Sequence, residues 1–412
     1  MQLQKLFEPI RIGKVDIRNR VAMCPMVCRY ADGTKISEQQ LAFYGARARG
    51  GVGLIIVESV FVSKWALDTA PFNVPALYEP GHMMGLAELV DTIHAFGART
   101  FVQFTMGMGA QGFSLVGEQL VGPSAVTFKI PPEMIPRNCQ EVLVPFMREE
   151  VPREMSVAEI ERELEAFVNA AIMARRVGFD GLEIHAGHGW LLHEFLSPRF
   201  NLRTDAYGGT FENRMRLLLE FVRRAKAAVG SDMVVGVRAS ASEHVPGGLT
   251  YEDMKVVVQR LEQEGIDYLH TTDGCASAVK YVYPDEDASM LEASAGFKKL
   301  TRVPVITPSV HDPELAARAL SEGMTDMIAL GRQLIADPDW ANKVKAGRLA
   351  DIRKCRRCNK GCMARILGGL PVKCVLNPES GLERYNPQYT QWAAKQRVIE
   401  KRVGRAKTST RR

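Results

Sequence analysis

Four cysteines, Cys355, Cys358, Cys362 and Cys374, follow one another with the spacing C-x2-C-x3-C-x11-C. Thiolates this close in sequence can enclose one metal centre. An iron–sulfur cluster and a structural zinc both use four of them. The tight three-cysteine run, without a second C-x2-C pair, leans toward iron and sulfur. The other cysteines, Cys24, Cys28, Cys139 and Cys275, are scattered and read as plain buried residues. A clustered set points to metal rather than to disulfides.

A second set of chemically capable residues stands where short apolar runs end. His185 and His188 are three residues apart at the end of one run. Two imidazoles so placed can grip a carbonyl oxygen that turns anionic during reduction. They can equally bind a metal, or be one core and one surface histidine. Arg238 closes the run Met233-Val234-Val235-Gly236-Val237. A guanidinium there needs an anionic partner, either a neighbouring acid or a reduced flavin carrying charge at N1. Gly331-Arg332 ends the last run, where barrel enzymes commonly hold phosphate. Cys24-Pro25-Met26, Gln103 and Ser309 occupy the matching ends of other runs. The set holds no carboxylate pair of the glycosidase kind and no Ser-His-Asp arrangement.

Those runs are Val21–Met26, Val52–Glu58, Arg99–Phe104, Asp180–His185, Met233–Arg238, Ile266–Thr271, Pro304–Thr307 and Asp326–Gly331. Each is apolar almost throughout, as parallel strands buried on both faces must be. Helix-length segments lie between them, which predicts an α/β chain folded as a (β/α)8 TIM barrel over a doubly wound open sheet. Ser156 sets a capping box with Glu159 and Gly178 stops the helix that follows. Asp312-Pro313 opens another helix, and Asp337-Pro338 is expected to do the same after the eighth run. About fifty residues separate the third run from Ser156, a length that predicts a substrate cover.

The chain has 412 residues and a net charge of +6. Residues 395–412 hold eight Lys/Arg and one acid, so the body carries about −1 and the excess marks a solvated tail rather than a nucleic-acid face. No apolar run approaches the ~18 residues that span a bilayer, so no membrane association is expected. The N-terminus lacks a signal-peptide core, which gives a cytoplasmic location as the default.

The run Asp180-Gly181-Leu182-Glu183-Ile184-His185-Ala186-Gly187-His188-Gly189-Trp190, with Phe195-Leu196-Ser197-Pro198, Asn201-Leu202-Arg203-Thr204-Asp205 and Tyr207-Gly208-Gly209, resembles the old yellow enzyme family. So do Asn19-Arg20-Val21 with Pro25-Met26, and Ala329-Leu330-Gly331-Arg332. The cysteine spacing is similar to that of the 2,4-dienoyl-CoA reductase branch. The resemblance implies FMN in the barrel mouth and a 4Fe–4S cluster on Cys355, Cys358, Cys362 and Cys374. It places Pro25 and Met26 at the flavin edge, Gln103 on its pyrimidine part, Arg238 at N1 and O2, and Ser309, Gly331 and Arg332 at the phosphate. It makes His185 and His188 the pair that holds the substrate carbonyl.

The implied activity is hydride transfer from FMN to an activated C=C bond, in an enone or enoyl thioester. An amine dehydrogenase or demethylase passing electrons outward through the cluster is the alternative. Trp190 stands where the family has a tyrosine proton donor, and an indole has no useful acidity. Val27 replaces a hydroxyl or thiol near flavin O4, and Pro308-Ser309 replaces a glycine at the phosphate. Phe104-Thr105-Met106-Gly107-Met108 lacks the usual histidine and Gly-Arg. Full-length relatives continue into an FAD- and NAD(P)H-binding module. No G-x-G-x-x-G follows Val398-Ile399, so a separate electron-transfer protein or NAD(P)H itself is the expected partner. The expected organisation is a barrel over 1–345, a cluster segment over 346–385 and a basic, flexible tail over 386–412. Self-association into a homo-oligomer is left open.

Overall fold

The computed structural model describes residues 2–70, 73–112, 119–143 and 150–386. Eight parallel strands form a closed barrel: β1 (Val21–Met23), β2 (Leu54–Phe61), β3 (Arg99–Thr105), β4 (Gly181–Ala186), β5 (Val234–Ser240), β6 (Tyr268–Thr272), β7 (Val305–Pro308) and β8 (Met327–Leu330). All eight expected runs are strands, and β8 pairs with β1 to close the ring. This is the (β/α)8 barrel that the alternation predicts. Helices α1 (Glu38–Arg49), α2 (Met83–His94), α3 (Val157–Val177), α4 (Phe211–Val229), α5 (Tyr251–Gln263), α6 (Leu291–Lys298) and α7 (Pro313–Ser321) lie between the strands in sequence.

The side-chain period of two sorts each strand. Val235 and Val237 of β5 turn outward into the large apolar shell beneath the helices. Val234 turns inward with Leu54, Ile56, Phe101 and Tyr268 to fill the lower barrel. A hairpin of Ile10–Ile12 and Val15–Ile17 contributes Ile12, Val15 and Ile17 to this inner cluster. That plug seals the end opposite the expected site.

Local signals behave as their chemistry requires. Ser156 and Glu159 form the capping box of α3, and Gly178 ends it at φ +95°, a conformation only glycine adopts freely. Asp312 caps α7 with Pro313 in its first turn. The helix expected at Asp337-Pro338 starts two residues later than its signal. The short helix after β8 begins at Arg332, with Gly331 before it, and Asp337 closes it. The Asp337 carboxylate accepts from Lys343 Nζ at 2.7 Å and the Arg353 N–H at 2.8 Å. A new helix, Trp340–Lys345, does follow two residues past Pro338, with Asp339 as its N-cap, and the Asp337 carboxylate also accepts the Asp339 N–H at 3.2 Å.

Residues 346–386 pack on the barrel with little regular structure. A buried ion pair, Arg47 Nη1 to Glu383 at 2.6 Å, joins them to α1. The Tyr30 hydroxyl donates to the Val372 carbonyl at 2.7 Å, and the Val372 N–H to the Cys28 carbonyl at 3.1 Å. The expected basic tail lies outside the described residues from 387 onward. No helix among the described residues is long and apolar enough to cross a membrane.

Candidate active site

A cavity of about 240 Å³ opens at the C-terminal ends of the strands. Its wall includes Pro25, Met26, Gln103, His185, His188, Arg238, Ser309, Gly331 and Arg332, every strand-end candidate of the sequence reading. Cys362 also lines it, whereas Cys355, Cys358 and Cys374 do not. Met108, Gln111, Phe128 and Ile130 of the long β3–α3 connection form part of the wall, so that connection does border the site. Segments 113–118 and 144–149 of that connection lie outside the described residues.

His185 points inward from the end of β4, where register sets it opposite Arg238 of β5. His188 follows in a left-handed turn at φ +61°, with its backbone N–H held by Ser240 Oγ at 3.0 Å. The two rings lie 5.0 Å apart. Burial, then the charge of Arg238, pushes both imidazoles well below the ordinary value, so both are neutral at pH 7. His188 Nε2 lies 2.6 Å from Thr272 Oγ1, and Arg238 Nη2 makes a long 3.4 Å contact to that same oxygen. A hydroxyl that accepts from arginine can give its proton to His188 Nε2. The proton of the His188 ring then sits on Nδ1, as a donor. The Nδ1 atom of His185 is buried with no partner. Trp190 lies edge-on to His185 at 5.2 Å, as an aromatic wall. Tyr283 lines the cavity as well, its phenol pushed up to about 12 by burial.

Arg238 forms no ion pair with a carboxylate among the described residues. Its guanidinium makes 3.4 Å contacts to the Pro25 carbonyl and the Thr272 hydroxyl, and its Nε is buried without a partner. The structural ion pair that the sequence left open is therefore not what satisfies this charge.

Beneath the mouth runs a polar column that the sequence did not disclose. Ser59 Oγ donates to Gln103 Oε1 at 2.7 Å, and Gln103 Nε2 donates to Glu183 Oε1 at 2.7 Å. Tyr268 and His270 approach Glu183 Oε2 at 3.1 and 2.9 Å. Glu183 is fully buried, which raises its carboxyl, but the charge of Arg238 and the hydrogen bonds from His270 and Gln103 outweigh burial and hold it below the usual range, while burial lowers His270 itself. The column fixes which end of the Gln103 amide faces which neighbour. Its one sequence signal is that Glu183 and His185 share a face of β4.

At the phosphate end, Ser309 is left-handed at φ +65°, and its backbone N–H is already spent on the Ala329 carbonyl at 3.1 Å. A Cβ on Gly331 would come within 3.0 Å of Met26 Sδ, so glycine permits the close approach there. Arg332 is buried and donates only to neutral acceptors, Asn359 Oδ1 at 2.9 Å and the Pro284 carbonyl at 2.7 Å.

The four clustered cysteines are free thiols and half-buried. No group of three or more His, Cys, Asp or Glu among the described residues is arranged to hold a metal ion. Burial raises the Cys355 thiol and pushes the Cys362 thiol up to about 12, and several groups oppose this. The Arg357 and Leu376 N–H groups each reach a cysteine sulfur, Cys355 and Cys374, at 3.4 Å. Arg332 and Arg357 supply positive charge beside Cys355, which offsets its burial only in part. Cys28, by contrast, is fully buried, with its N–H on Glu58, and Val27 faces the cavity in its place.

The mouth fits FMN on three observations. It is concave, Arg238 and Arg332 carry positive charge with no carboxylate paired to either among the described residues, and His185 and Arg238 hold buried polar atoms with nothing to bond.

The comparisons agree with this geometry. NADH oxidase of Thermoanaerobacter brockii is 38% identical over 402 residues, which is 96% of this chain and 59% of that protein. A 2-naphthoyl-CoA reductase bound to 2-naphthoyl-CoA superposes with a TM-score of 0.85 at 28% identity, over 94% of this chain and 59% of that one. Histamine dehydrogenase from Rhizobium sp. 4-9 superposes with a TM-score of 0.81 at 26% identity, over 93% and 53%. The chain thus spans little more than half the length of these relatives. The profile of the NADH:flavin oxidoreductase / NADH oxidase family matches residues 5–351, and the chain belongs to that family, within its old yellow enzyme group.

Proposed function

We propose that this chain is the FMN-binding part of an oxidoreductase that reduces an activated C=C bond, in an enone or an enoyl thioester. The observation that carries the reading is the charge of the cavity wall. Among the described residues it contains Arg29, Arg238 and Arg332, and no Asp or Glu. Such a wall favours an acceptor that is neutral or gains negative charge, and disfavours a cationic amine.

FMN bound in the mouth supplies a two-electron hydride donor. His185 and His188, both neutral, hold the carbonyl oxygen of the acceptor by N–H donation and stabilise the charge that grows on it. Arg238 offsets negative charge at the floor of the mouth, and Gln103, locked by Ser59 and Glu183, orients what lies on it. Gly331 and Arg332 hold phosphate. Trp190 excludes water from one side but provides no proton. Tyr283 is the one phenol in the described wall and remains protonated at neutral pH. A 4Fe–4S cluster on Cys355, Cys358, Cys362 and Cys374 is the proposed electron route, supported by Cys362 facing the same cavity. Its electrons come from NAD(P)H or a separate carrier protein.

The amine-oxidising alternative draws on Trp190 as an aromatic wall for a cation and on the similarity to histamine dehydrogenase. Anaerobic mixing separates the two. Oxidised protein whose flavin bleaches with amines supports the alternative. Photoreduced protein whose flavin reoxidises with enones or enoyl thioesters supports the proposal. The double variant His185→Ala, His188→Ala should retain flavin and lose at least about a hundredfold in turnover. Unchanged turnover on the reactive acceptor would remove the histidines from the mechanism.

A further inference from the structure

The cysteine segment sends a guanidinium behind Ser309, a wall residue of the mouth, and that guanidinium does not itself line the cavity. Arg357, between Cys355 and Cys358, is buried and sits in left-handed backbone at φ +53°. A non-glycine residue held there is strained, and the surrounding contacts must offset that strain. Its Nη2 donates to the Asp287 carboxylate, and at 3.3 Å to the carbonyl of Ser309, a cavity-lining residue. Its Nη1 is buried with no partner at all.

Charge around this atom does not balance. Arg332 has only neutral acceptors. Asp287 serves Arg357 and also accepts the His311 and Asp312 N–H groups at 2.8 and 3.0 Å. Asp285, the other acid in reach, is paired with Arg137 at 3.1 Å. The His311 imidazole, pushed well below its ordinary value by burial and then by Arg357 and Arg332, adds no charge. Of these two buried guanidiniums, only Arg357 has a carboxylate partner, Asp287, and Arg332 has none among the described residues. Burying like charges together is unfavourable unless an anion joins them.

We propose that Arg357 is a phosphate ligand of bound FMN, so that the cofactor is gripped by the cysteine segment as well as by the barrel. The proposal rests on the FMN reading above. It replaces the donor lost where the Ser309 N–H is consumed by the Ala329 carbonyl. It also ties flavin retention to the order of the Cys355–Cys358 loop.

Riboflavin lacks the phosphate, which makes it the control. The test titrates deflavinated protein with FMN and with riboflavin and follows quenching of flavin fluorescence. Arg357→Gly suits the left-handed backbone and removes the guanidinium. It should weaken FMN binding about ten- to a hundredfold, as for loss of a charge-assisted hydrogen bond, and leave riboflavin binding unchanged. Arg357→Lys should recover part of the FMN affinity. Equal loss for both ligands, or no loss for either, overturns the role of Arg357. Failure of the unsubstituted protein to bind FMN overturns the FMN reading instead.

Discussion

The two ends of the barrel are built from the same strands and have opposite chemistry. At the plugged end, Phe101 and Tyr268 pack with tilted rings 5.4 Å apart, and Leu54, Ile56 and Val234 close round them with the N-terminal hairpin. At the mouth, His185 Nδ1 and Arg238 Nε are buried and unbonded, and a cavity of about 240 Å³ replaces packing. An unsatisfied buried polar atom costs about 1–3 kcal/mol. The floor therefore supplies the stability that the mouth forgoes in order to receive a ligand.

This contrast can be broken most directly at the floor. Phe101→Ala should destabilise by about 3–5 kcal/mol, the usual result for a buried phenylalanine in a close-packed core. Urea unfolding measures it, and flavin affinity of the surviving folded protein should be unchanged. A loss of flavin binding with no loss of stability would reverse the assignment of the two ends.

A smaller effect separates the ends by pH. Glu58 on β2 holds the Cys28 N–H at 2.8 Å, just beyond the Pro25-Met26 edge of the mouth. Burial lifts its carboxyl from an ordinary 4.5 to about 7. The folded chain thus binds that proton more tightly than the unfolded chain does. The resulting stability is complete below the ordinary value and is lost as pH rises through about 7. Glu58→Gln keeps an acceptor and removes the titration. Between pH 4 and 8 the unsubstituted protein should lose up to about 3 kcal/mol relative to this variant. Parallel curves for the two proteins would place the carboxyl's titration elsewhere.

The finest distinction is Thr272→Val. It removes the hydroxyl between His188 and Arg238 while keeping the volume nearly constant. Turnover should fall about tenfold, the worth of one hydrogen bond that sets a tautomer, while the unfolding midpoint scarcely moves. An equal fall in stability would make Thr272 a packing residue.

Local pattern made much of this legible. Eight apolar runs became eight strands because a strand buried on both faces must be apolar on both. The strand-end residues met in one cavity because a closed parallel barrel brings all its C-terminal ends to one side. The Asp337-Pro338 helix starts two residues late, at Trp340, because a cap is a local preference and Lys343 and Arg353 also draw on the Asp337 carboxylate.

The types and spacing of the mouth residues, the family motif at His185 and His188, and the four-cysteine pattern are properties of the chain read in order. The closure of the barrel added what order cannot carry. It set Glu183 against Gln103, Tyr268 and His270, put Thr272 between His188 and Arg238, and left Arg238 and Arg332 without carboxylate partners among the described residues. Each of these depends on groups from different strands or loops. Their distances, and the loss of water around them, arise only when the sheet closes.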